Sequence, residues 1–215
     1  MGVRESGGPG VRESGPPDLR TSGHRTSEFD YLRLMPTTSL RPALAALAAA
    51  PNTTTVRKLW KALTAEERTS AITAAMADDE NGWVKATTRT AVAGAIKFRP
   101  QTVATWPKQK LIAEAARLPI DDVQLLSAFL VDLHLGTRRP MMAAFLDGVG
   151  VKHDDGRIDT EASGPISVPL ERLRAAADDL AGRYPIDEVV TYFLTLLLQD
   201  AETWSGTIGW LESRA

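Results

Sequence analysis

The chain has 215 residues, 43% of them apolar and 24% charged, the composition of an ordinary globular protein. It contains no cysteine. A disulfide framework, a thiolate zinc finger and a cysteine nucleophile are therefore excluded, and the composition fits a reducing cytoplasm. Residues 1–55 carry 6 basic and 5 acidic side chains, residues 56–110 carry 10 and 5, and residues 111–215 carry 9 and 17. A basic middle against an acidic C-terminal half serves either neutralisation within the fold or recognition of a partner.

The N-terminus repeats itself, "GVRESGGP" being followed at once by "GVRESGPP". Such sequence buries too little apolar area to offset the entropy of ordering it, so residues 1–36 are expected to be a disordered low-complexity tail. Met35 opens a more protein-like run, "MPTTSLRPALAALAAAP", and is a candidate translation start. No apolar stretch in this region has the character of a signal-peptide core.

From Ser39 onward the punctuation is helical. Ser39 is expected to cap a helix ended by Pro51. "LTAEER" reads as a capping box, Thr64 at N-cap and Glu67 three residues later, opening a helix to about Ala77. "WVKATTRTAVAGAIKF" is expected to run until Arg99–Pro100 stops it, and Pro107 to open the next helix at N1. "RLPIDDV" from Arg117 then recurs as "RYPIDEV" from Arg183, five of seven positions being identical. Each copy follows a proline-opened helix (Pro107, Pro169) and precedes a strongly apolar one. This predicts an αα-hairpin used twice, with the aspartate capping the second helix. Two copies, 66 residues apart, weigh against a solenoid and fit either a duplicated hairpin or the reuse of a good helix start.

"RRPMMAAFLDGVG" predicts a short helix over about 140–148, and "DAETWSGTIGWLES" a weaker last one, diluted by Gly206 and Gly209. The longest apolar runs, "LLSAFLVDLHL" and "VVTYFLTLLLQ", fall well short of the roughly 20 residues a membrane span needs and read as core helices. The predicted fold is all-α, a bundle of about nine or ten short helices in a single domain over 37–215.

The densest polar stretch is "GVKHDDGRID", residues 150–159. As a calcium loop with Gly156 at its sixth position it would place Val151 first and Ala162 twelfth, and neither can ligate. The His153–Asp154 pair would resemble the HD pair of the all-α metal phosphohydrolases only on a helix. Here it precedes Asp155–Gly156, a strong turn dipeptide, so a small hairpin with Val151 and Ile158 as its apolar side chains is expected.

At 100° per residue His134 joins Gln124, Ser127, Val131 and Arg138 on the polar stripe of a helix over 121–136, opposite Leu126, Phe129, Leu130 and Leu133. That predicts a surface or interhelical hydrogen-bonding residue. Arg138 and Arg139 precede a helix start and are a candidate anion site. Lys97, Arg99, Lys108 and Lys110 surround Trp106, the pattern of a phosphate- and base-binding surface. Trp204 and Trp210, in the weak last helix, are expected either to dock on the core or to meet a partner. No nucleophile elbow, phosphate-cradling loop, HExxH or dinucleotide fingerprint is present.

The favoured reading is a non-enzymatic, cytoplasmic helical interaction or scaffold module. It presents grooves and an acidic C-terminal face to a protein partner, with Trp204 and Trp210 as the partner-binding residues, and needs neither cofactor nor metal. The second reading is a hydrolase-type enzyme using His134, or His153 with Asp154. The third is a weak nucleic-acid binder acting through the basic segment 85–110.

Overall fold

A computed structural model of the chain describes residues 39–158 and 166–215. The expected tail and Met35 lie outside the described residues. Helix α1 (Pro42–Ala48) begins with Pro42 in its first turn, where a missing N–H costs nothing, and no side chain caps it. Ser39 is not the expected cap; Arg41 holds that position, its own N–H bonded to Asp187 at 2.9 Å. Helix α2 (Val56–Ala62) is capped by Thr55. Helix α3 (Ala65–Ala75) starts with the predicted capping box: the Glu67 N–H donates to Thr64 Oγ1 at 3.0 Å, and the Thr64 N–H to Glu67 Oε2 at 2.8 Å.

Helix α4 (Trp83–Ala95) stops earlier than expected. Lys97 turns left-handed at φ 57°, and the Phe98 N–H bonds the Ala93 carbonyl, so the chain has left the helix before Pro100 is reached. Pro100 instead opens the short α5 (Pro100–Ala104). Pro107 occupies the N-cap of α6 (Lys108–Arg117) rather than N1. Then come α7 (Val123–Thr137) and α8 (Arg139–Val149), the latter closed by Gly150 at φ 76°. Strands β1 (His153–Asp154) and β2 (Arg157–Ile158) form the predicted antiparallel hairpin, with Asp155 and Gly156 taking positive φ at its tip. Helices α9 (Leu170–Arg183) and α10 (Ile186–Gln199) lead into α11 (Ala201–Trp204), a 3-10 turn and α12 (Ile208–Glu212). The fold is all-α with one small hairpin, and among the described residues no helix is long and apolar enough to cross a membrane.

Helix α10 is enclosed by its neighbours: every residue from Val189 to Leu196 is buried. Phe145, Tyr192, Phe193, Trp204 and Trp210 make a chain of ring contacts through this core, with centroids 5.0–5.8 Å apart. The repeated heptapeptide does not build two equivalent hairpins. Helix α9 packs on α8 and on α10, whereas the main contacts of α6 are with α3 and α4. Only the first copy caps its helix with aspartate, Asp122 accepting from the Leu125 N–H; Asp187 and Glu188 of the second copy are drawn to arginines instead.

The most extensive helix contact is between α3 and α7. At their crossing a Cβ on Gly136 would stand 2.5 Å from the Ala74 Cβ. Alanine gains up to ~1 kcal/mol of helix propensity over glycine, but overpacking costs about 1–3 kcal/mol. Gly136→Ala is therefore expected to lower stability in chemical denaturation, and adding Ala74→Gly to recover it. Gly94 has nothing within 4 Å of such a Cβ, so Gly94→Ala is expected to raise stability.

Candidate functional site

The charged groups at the heart of the molecule gather on Glu67. Besides closing its capping box, this carboxylate accepts from Arg41 at 2.9 Å and from Arg138 at 2.9 Å. Arg41 extends to Asp187, and Arg138 lies 3.6 Å from Glu188. Burial alone would push the Glu67 carboxyl up. The Thr64 N–H and the two guanidinium groups outweigh it and hold the group below the usual carboxylate range. Arg138 is 6% exposed, and its anion partners are the protein's own carboxylates. Arg139 is likewise engaged, with Asp155 at 3.2 Å and the Leu135 carbonyl. The two arginines expected to receive an external anion thus hold internal ones.

The polar stripe of α7 is a seam rather than a surface. Gln199 donates to Ser127 at 2.8 Å, His134 meets Thr195 at 3.2 Å, and Arg138 approaches Glu188, each contact joining α7 to α10. His134 is 1% exposed, correcting the expectation of a surface position while keeping that of an interhelical hydrogen bond. The Thr195 hydroxyl gives its proton to the Thr191 carbonyl at 2.8 Å, so it can only accept from the histidine. His134 is therefore the Nε2–H tautomer, and its Nδ1 has no partner among the described residues. Burial, then the neighbouring Arg138, pushes its pKa well down and keeps the ring neutral. Among the described residues no carboxylate is hydrogen-bonded to His134.

The hairpin histidine serves the turn. The Gly156 N–H donates to His153 Nδ1 at 3.2 Å, and His153 Nε2 faces Asp147 at 3.2 Å. Asp154 is exposed on β1. Neither lies beside His134 in a hydrogen-bonded group, and among the described residues no three His, Asp or Glu side chains are grouped as a metal site.

Trp204 and Trp210 are 2% and 4% exposed. Both rings pack inward, Trp204 on Phe145 and Trp210 on Phe193, and the Trp210 indole N–H donates to Asp178 at 2.8 Å. Of the two roles expected for them they take the core.

Among the described residues Phe98 is the most exposed aromatic, at 54%, ahead of Trp83 at 42%. The early end of α4 throws it outward between Lys97 and Arg99, and α6 brings Trp106 against it edge-on, centroids 6.4 Å apart. Lys110 Nζ stands 4.1 Å from the centre of the Trp106 ring. No Asp or Glu occurs between Glu80 and Glu114, while Lys85, Arg89, Lys97, Arg99, Lys108 and Lys110 do. Among the described residues none of these six cations forms an ion pair. The sequence showed Trp106 and its cations. It gave no sign that Phe98 rather than Trp106 is the exposed ring, because that depends on where α4 stops.

The histidine assignment has a direct check. Nitrogen NMR is expected to find His134 as the Nε2–H tautomer, its titration displaced well below the ordinary value near 6.5. Because the folded state resists protonating this ring, stability should fall as pH drops below about 6.5, and His134→Gln should lessen that acid-side loss. Comparison with protein-family models, curated proteins and solved structures finds no match to this chain.

Proposed function

We propose that the chain is a non-enzymatic helical interaction module that docks an acidic segment of a protein partner on the patch formed by Lys97, Phe98, Arg99, Trp106 and Lys110. The observation that carries this reading is the half-exposed Phe98 ring among cations that form no ion pair among the described residues. A half-exposed ring packed against a second aromatic and edged by like charges favours a partner with an apolar anchor and carboxylates around it. The engaged state of His134, Arg138 and Arg139 supports a binding role over catalysis. The cysteine-free composition supports a cytoplasmic setting.

A second reading is favoured by one specific feature. The Phe98–Trp106 pair beside Lys110 also suits a base stacked over an aromatic with its phosphates on the flanking cations, as in single-stranded nucleic-acid binding.

The two are separated by following tryptophan fluorescence while titrating the protein with a Glu-rich peptide, the same peptide carrying one central Leu, and oligothymidylate. The protein reading expects the Leu peptide to bind about tenfold more tightly than the plain one, the scale of burying one apolar side chain, with Phe98→Ala erasing the difference. Oligothymidylate binding above both peptides, with affinity falling steeply in salt, would favour nucleic acid instead. No binding of any of the three at low salt would contradict both readings.

A further inference from the structure

The contact between α3 and α7 leaves a cleft of about 510 Å³, floored by Ala74, Ala77, Leu135 and Gly136. A second depression of about 440 Å³ lies beside it and shares Asp78 and Asp132 as a common wall. Apart from Ser70 and Arg139, the polar groups of this lining accept rather than donate. The hydroxyls of Thr69, Thr73 and Thr137 have each given their proton to a carbonyl four residues earlier, at 2.8, 2.7 and 2.6 Å. Only their acceptor lone pairs remain.

Asp132 is the unexplained group. It is half-buried, yet among the described residues it has neither a hydrogen bond nor an ion pair, although the Arg157 beside it is bonded to Asp78 at 3.2 Å. Burial, and then the Asp78 charge, raises its pKa to about 6 against the opposing pull of Arg157. The other charged groups facing the region are Asp79 and Glu80 on the α3–α4 connection and Arg139, which is already paired with Asp155. A half-buried, unpaired carboxylate among acceptor oxygens favours a donor-bearing cation.

We propose that this cleft binds a small primary ammonium ligand, the ammonium on Asp132 and the threonine oxygens, and a short methylene chain on the Ala74–Leu135 floor. A metal ion fits less well, because among the described residues no three metal-capable side chains converge. A quaternary ammonium lacks the N–H donors that the spent hydroxyls require.

The test is isothermal calorimetry on the full chain with 1,4-diaminobutane, with choline at matched ionic strength as the control. Saturable binding of the diamine at pH 7.5 is expected, with choline at least tenfold weaker. Asp132→Asn should lower diamine affinity at least tenfold while the variant stays folded by circular dichroism, and Thr73→Val should weaken it less. The linkage has a definite sign. The ligand selects the ionised carboxylate, so affinity should fall as pH drops through 6, by about tenfold at pH 5 where roughly one group in ten remains ionised. Equal binding of choline, unchanged affinity in Asp132→Asn, or no saturable heat with the diamine would each overturn the proposal.

Discussion

Four helix beginnings meet at one carboxylate. Glu67 caps α3, holds Arg41 at the start of α1 and holds Arg138 at the α7–α8 junction; through those arginines it reaches Asp187 and Glu188 at the start of α10. The apolar core supplies most of the stabilisation, as in any domain of this size. Hydrophobic burial is non-directional, however, and many arrangements of short greasy helices would bury similar area. A buried guanidinium accepts only one arrangement, since losing its carboxylate leaves an uncompensated charge costing about 3–5 kcal/mol. The charge network is thus expected to bias which bundle forms, while the core makes the bundle stable.

The same division explains how the polar stripe of α7 is used. Ser127, His134 and Arg138 look like a solvent face on a helical wheel, because the wheel knows the spacing of polar groups but not what lies opposite. In the fold, Gln199, Thr195 and Glu188 on α10 lie opposite, and the stripe becomes an interhelical seam. With α10 enclosed from Val189 to Leu196, a polar seam fixes its rotation against α7. The hairpin over 153–158 completes that side of the molecule, and its histidine and aspartates serve the turn and its ion pairs.

Local signals were legible where the physics is local. The Thr64 capping box, the Asp155–Gly156 turn, the Gly150 stop and the buried character of the two most apolar helices all rest on residues within a few positions of one another. What could not be read from the chain depends on distant partners. Arg41 displaces the expected Ser39 cap because Asp187 is there to receive it. Glu67 shows in sequence as a cap, and nothing nearby reveals that two arginines converge on it. Phe98 is exposed because α4 ends at Ala95, and Asp132 is isolated because Arg157 spends its bond on Asp78. Both candidate binding surfaces thus arise from tertiary accidents of pairing, which periodicity does not encode.

The central claim is that Glu67 and Arg138 act as one unit in choosing the bundle. A double-mutant cycle measures this directly, using Glu67→Gln, Arg138→Met and the pair together, each followed by chemical denaturation at pH 7. The account expects each single change to destabilise by more than 1 kcal/mol and the two to be coupled by at least about 1 kcal/mol, within the range seen for contacting charges. Strictly additive losses, with no coupling between the two positions, would contradict it.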